Sequence, residues 1–147
     1  MNAIDRLRLL SSQMHLEPAE DALCPKLSPR KQDEVYVSSA ALPNGKRISL
    51  LKTLLSSACE RNCYYCPFRA GRDMHRATFK PDEFARIFMY LHKSGAAEGM
   101  FLSSGVVNGG IRTQDQILAT AEILRHKYQY KGYLHLKIMP GVEKAQV

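Results

Sequence analysis

Cys59, Cys63 and Cys66 fall within eight residues in the spacing C-x3-C-x2-C, and the chain holds one further cysteine, Cys24. Thiolates this close can reach one inorganic centre without a long loop closure. Iron–sulfur clusters are usually held by four cysteines. A set of three leaves one iron of a four-iron cube without a protein ligand, and an open iron is where chemistry occurs. Two other outcomes suit the same residues. A structural zinc site wants four ligands, and the nearest candidates for the fourth are Cys24 and His75. A disulfide with a spare thiol needs an oxidising compartment, for which nothing in the sequence speaks.

The elements that must position these thiols read as follows. Residues 1 to 16 predict an amphipathic helix, with Ile4, Leu7, Leu10 and Met14 at helical spacing and Pro18 ending it. Glu17 to Glu34 is polar and punctuated by Pro18, Pro25 and Pro29, a loop or linker that contains Cys24. Val35–Leu42 and Lys46–Leu55 are strands of a hairpin around Asn44-Gly45, where both residues tolerate positive φ. The second strand leads straight into the cysteines, as strands deliver functional loops in parallel α/β sheets and barrels. A basic loop follows, with Arg69, Arg72, Arg76 and Lys80. It is either plainly solvated or in contact with phosphates or a substrate carboxylate.

Pro81 opens a helix whose stripe is Phe84, Ile87, Phe88 and Leu91, with His92 and Lys93 in the last turn and Gly95 as the stop. Gly99 to Ser103 predicts a buried parallel strand ending in the small polar turn Ser103-Ser104-Gly105. Hydroxyls there can accept from an ammonium and donate to a carboxylate. Asn108-Gly109-Gly110 lacks the pattern of a dinucleotide loop. Thr113 opens a second helix with Gln116 completing a capping box; Ile117, Leu118, Ala121 and Leu124 form its apolar face. The last strand alternates, with Leu134, Leu136 and Ile138 on one face and Tyr133, His135 and Lys137 on the other. That second face lines a polar cavity or is the wet side of an edge strand. Val142 to Val147 reads as the opening of another helix.

The chain has 147 residues, 45% hydrophobic, enough for one globular domain with a modest core. Its formal net charge of +7 suits nucleic acid without demanding it, because phosphate binding needs clustered cations. No apolar run approaches the roughly 18–20 residues of a membrane span. Met1 to Leu10 has no signal-peptide core. The expectation is a cytoplasmic protein with reduced thiols and no membrane partner.

The cysteine spacing, with aromatic Tyr65 before the last cysteine, resembles the radical S-adenosylmethionine (radical SAM) enzymes, from about Lys46 to the end of the chain. The stretches LLSSACERNCYYCPFRAGRD, RATFKPDEFA, GMFLSSGV and GYLHLKIMPG resemble a subgroup known as DNA modification/repair radical SAM proteins. The resemblance implies an α/β fold, a partial (β/α) barrel of radical SAM type. About three βα units are present, preceded by the N-terminal helix and β-hairpin. Residues 1–34 would be the helix and linker, and 35–147 the N-terminal half of the core domain. A missing C-terminal half, truncated or separately encoded, is then an expected partner.

It further implies that Cys59, Cys63 and Cys66 hold a [4Fe–4S] cluster whose fourth iron takes the amino and carboxylate groups of S-adenosylmethionine. An electron from a reducing donor would yield a 5′-deoxyadenosyl radical, acting on DNA or nucleotides. Tyr65 would flank the adenine. Ser103, Ser104 and Gly105 would hold the methionine amino group, and Lys137 would meet a carboxylate. The turn departs from the frequent Gly-Gly-Glu of the family by lacking the Glu. The alternatives are a zinc-stabilised nucleic-acid-binding module, or an inactive fragment of the enzyme.

Overall fold

The computed structural model describes residues 1–16, 30–32 and 35–147. The protein is mixed α/β, an open five-stranded sheet in the order β1-β2-β3-β4-β5 with a layer of helices. Helix α1 (Ala3–Ser12) is capped by Asn2, whose side chain accepts from the Asp5 N–H at 2.9 Å, and runs on into a 3-10 turn over Gln13–Leu16. Leu7, Leu10 and Met14 are buried as their spacing requires. Strands β1 (Arg30–Gln32), β2 (Val35–Ala41) and β3 (Arg47–Leu54) are antiparallel. Residues 30–32 thus pair as an edge strand where the sequence reads as linker; Pro18 and Cys24 lie outside the described residues.

The β2–β3 hairpin turns at Asn44-Gly45 as expected, but only Gly45 takes positive φ, at 81°. The Asn44 side chain instead accepts from the Lys46 N–H at 3.0 Å, and the Leu42 N–H donates to the Lys46 carbonyl at 2.7 Å. An Asn side chain that mimics a backbone turn needs no left-handed φ of its own.

From β3 onward the pairing is parallel. Helix α2 (Pro81–Lys93) links β3 to β4 (Gly99–Ser103), and α3 (Gly110–Glu122) links β4 to β5 (Leu134–Leu136). There are two complete βα units and a third strand, which a 3-10 turn at Lys144–Gln146 follows in place of a helix opening. Helix α1 packs on β2 and β3 and touches α2, which touches α3, so the helices form one contiguous layer. Phe84, Phe88 and Leu91 of α2 are fully buried in it. Arg6 joins α1 to α2 through the Glu83 carboxylate, whose pKa that hydrogen bond lowers. The His92 Nδ1 bonds the Ala97 carbonyl at 2.9 Å, at the C-terminal end of α2.

Helix α3 begins three residues before Thr113, at Gly110, and no capping box forms. The Thr113 hydroxyl faces back onto the Val107 and Gly109 carbonyls, at 3.1 and 2.9 Å. Its buried side is Thr113, Gln114, Ile117 and Thr120, then Leu124 in a closing π-helical turn; Leu118 and Ala121 are only half-buried.

Parallel register fixes which residues share a face. Leu51, Met100 and Leu134 lie side by side, as do Thr53, Leu102 and Leu136. The alternate rows, Lys52–Phe101–His135 and Leu54–Ser103 with Lys137 beyond, lie on the other face. The expected alternation of β5 is therefore present. Ile138 departs from it: it lies past the strand and is exposed.

Candidate metal centre

The thiol loop leaves the C-terminal end of β3 and is fastened at its root. The Leu55 N–H donates to the Ser103 carbonyl at 2.8 Å, and the Gly105 N–H to the Ser56 carbonyl at 2.7 Å. Ser56 and Thr78 form a bridge whose hydroxyls lie 2.7 Å apart, and the Ser57 N–H donates to the Ala77 carbonyl at 2.9 Å. Arg76 closes the loop on itself. Its guanidinium donates to the carbonyls of Ser57, Phe68, Arg69 and Arg72, the last three at 2.9, 2.7 and 3.1 Å. Of the basic loop, Arg76 is thus a backbone staple and not a phosphate ligand.

Within this frame Cys59, Cys63 and Cys66 are all unbridged. Cys59 and Cys66 are half-buried and Cys63 is exposed. Sulfur at Cys59 accepts from the Arg61 and Val106 N–H groups, each at 3.4 Å, and sulfur at Cys66 from the Phe68 N–H at 3.4 Å. Backbone N–H groups aimed at sulfur are among the contacts by which proteins tune cluster-bound thiolates.

All three cysteines line one cavity of about 440 Å³, and the other residues predicted for the site line it too. Ser103, Ser104 and Gly105 form the wall from the end of β4, Lys137 the wall from β5, and Tyr65 stands at the rim, 90% exposed. Leu54, Phe68, Val106 and Met139 supply buried apolar surface. Ser103 is buried, and its hydroxyl bonds no described residue. The Ser104 hydroxyl donates to the Gly105 carbonyl at 2.8 Å, which leaves it only its acceptor lone pairs for a ligand.

Among the described residues that line the cavity there is no carboxylate, while Arg61 and Lys137 both line it, and the Glu60 carboxylate lies 4.0 Å from the Arg61 guanidinium. Desolvation by the walls lowers the Lys137 pKa from the ordinary lysine value.

Among the described residues, no three His, Cys, Asp or Glu side chains are gathered tightly enough to hold one metal ion. His75, one proposed fourth zinc ligand, is exposed and lies outside the cavity lining; Cys24, the other, is outside the described residues. A four-iron cube takes its thiolates at separate corners, so its sulfurs need not converge on one point. The donor set fits such a cluster better than a zinc ion: three thiols around one cavity, with N–H groups on two of the sulfurs.

Sequence reasoning missed Arg76 as a staple, and it missed Glu60. The Glu60 carboxylate accepts from the Asn108 and Gly109 N–H groups, at 3.0 and 2.9 Å, across the gap to the β4–α3 loop. An acid between two cysteines of a motif gave no signal of this, because its partners lie 48 and 49 residues away. No described helix is long and apolar enough to cross a membrane. Comparison with protein-family models, with curated proteins and with solved structures gave no match to this chain.

Proposed function

We propose that this chain is a radical SAM protein that binds a [4Fe–4S] cluster through Cys59, Cys63 and Cys66 and S-adenosylmethionine in the adjoining cavity. The observation that carries the reading is the shared lining: residues from three separate stretches, singled out in the sequence, all border one cavity. When bound, the two cofactors supply one-electron chemistry that generates a substrate-activating radical. We read the open sheet as the partial (β/α) barrel of this class, with a reducing electron donor as partner and DNA or nucleotides as substrate.

The protein's own part is to bind, orient and exclude water. The Arg61, Val106 and Phe68 N–H groups hold two sulfurs in place. The Ser103 hydroxyl can accept from an amino group, and the Lys137 ammonium on the wall of the same cavity can meet a carboxylate. Phe68, Val106 and Met139 keep the inner wall dry. Tyr64 and Tyr65, 94% and 90% exposed, offer flat faces on which a nucleobase can stack.

Anaerobic reconstitution with iron and sulfide tests this. Wild type should take up iron and acid-labile sulfide and gain the broad visible absorbance of a cluster. Serine at Cys59, Cys63 or Cys66 should each abolish it. Full absorbance in any one of these variants contradicts the ligand set, and zinc bound in place of iron returns the chain to a zinc-stabilised nucleic-acid-binding module.

A further inference from the structure

Glu60 sits between a thiol and a helix. Its own N–H donates to the Val106 carbonyl at 2.8 Å, while the Val106 N–H donates to the sulfur of the preceding residue, Cys59, at 3.4 Å. Two residues further on, Asn108 and Gly109 both take left-handed backbone, φ 57° and 87°, which turns their successive N–H groups onto the Glu60 carboxylate. Consecutive N–H groups in such a concavity are an anion cradle, and here the anion is built in. Helix α3 starts immediately afterwards, at Gly110, and has no side-chain cap of its own. Asn is among the few residues other than glycine that take positive φ readily, so Asn108 suits this turn.

We infer that Glu60 is a positioning residue: its carboxylate locks the β4–α3 loop against the thiol loop and thereby holds the Val106 N–H on the Cys59 sulfur. The consequence for a bound cluster rests on the reading above; the geometry of the lock does not. A plain helix cap predicts something different. It would stabilise α3 without changing what Cys59 experiences.

The two are separated in the cofactor-free protein by the rate of iodoacetamide alkylation at each cysteine, measured by mass spectrometry for wild type, E60A and E60Q. Cys63, whose sulfur bonds no described residue, is the internal reference, and circular dichroism checks folding. In E60A the N–H donor that favours the Cys59 thiolate is released, so Cys59 alkylation should fall roughly two- to tenfold relative to Cys63, the factor expected from losing one net hydrogen bond. Cys66, whose sulfur is bonded within its own turn, should not change. In E60Q the amide oxygen still accepts, so Cys59 should fall between wild type and E60A. If E60A does not fold, E60Q decides alone. Unchanged relative labelling of Cys59 in the folded variants overturns the inference, even if their stability falls.

Reconstituted samples give the second readout. The EPR spectrum of the reduced cluster should shift in E60Q. Slower Cys59 labelling in Glu60 variants, with no iron taken up by any of the proteins, wild type included, supports the lock and defeats the cluster reading. Labelling and spectra that match wild type defeat the lock and leave the cluster reading standing.

Discussion

Arg76 carries a charge whose counterparts are dipoles. Its guanidinium lies among four backbone carbonyls spread from Ser57 to Arg72, so one side chain fixes both ends of the thiol loop. Replacement by methionine keeps the aliphatic stem and removes every donor, leaving partly buried carbonyls without partners. The expected cost is on the order of 3 kcal/mol, read as a lower urea midpoint, with new proteolytic cleavage between Arg61 and Arg76. A variant as stable and protease-resistant as wild type would show that the loop holds itself. The sequence made the thiols legible because their chemistry is local: spacing alone brings them together. The role of Arg76 was not legible, because a basic residue in a basic loop looks the same whether it meets water, a phosphate or its own backbone. Glu60 was hidden for a related reason, its partners being set by how two distant loops meet.

At the scale of elements, periodicity was enough wherever burial decides structure. The α2 stripe, the buried β4 and the alternation of β5 up to Lys137 all appear as read. The departures occur where local polar bonds decide. The start of α3 moved to Gly110 because the Thr113 hydroxyl turned to nearby carbonyls and did not cap. Residues 30–32 became a strand because β2 offered a free edge, which no pattern in three polar residues announces. The junction of β3 and β4 depends on a missing side chain. A Cβ at Gly105 would lie 2.1 Å from the Ala58 carbonyl oxygen, so only glycine lets the β4 turn approach the root of the thiol loop. Gly105→Ala must push these apart. It should destabilise the fold by ~1–3 kcal/mol in urea titration and weaken S-adenosylmethionine binding in equilibrium dialysis. Wild-type stability and binding would mean that the approach has slack.

Across the whole molecule, the helices cover one face of the sheet and the thiols open onto the other. The cavity sits where the C-terminal ends of β3, β4 and β5 meet, the position at which parallel sheets present ligand sites. This placement was legible from strand order, because parallel strands joined by helices bring their ends to one rim. The cavity's charge was not legible from a net +7 spread over the chain. It comes from Arg61 and Lys137, which both line the cavity, with the Glu60 carboxylate 4.0 Å from the Arg61 guanidinium. On the proposed reading, the serines and the lysine that line this cavity bring the amino and carboxylate groups of S-adenosylmethionine to a cluster on the three thiols. The direct test is EPR of the anaerobically reconstituted, reduced protein with and without S-adenosylmethionine. A [4Fe–4S]+ signal that changes shape on addition is the predicted result. A cluster whose signal ignores S-adenosylmethionine, or a protein that assembles no cluster, would contradict the account.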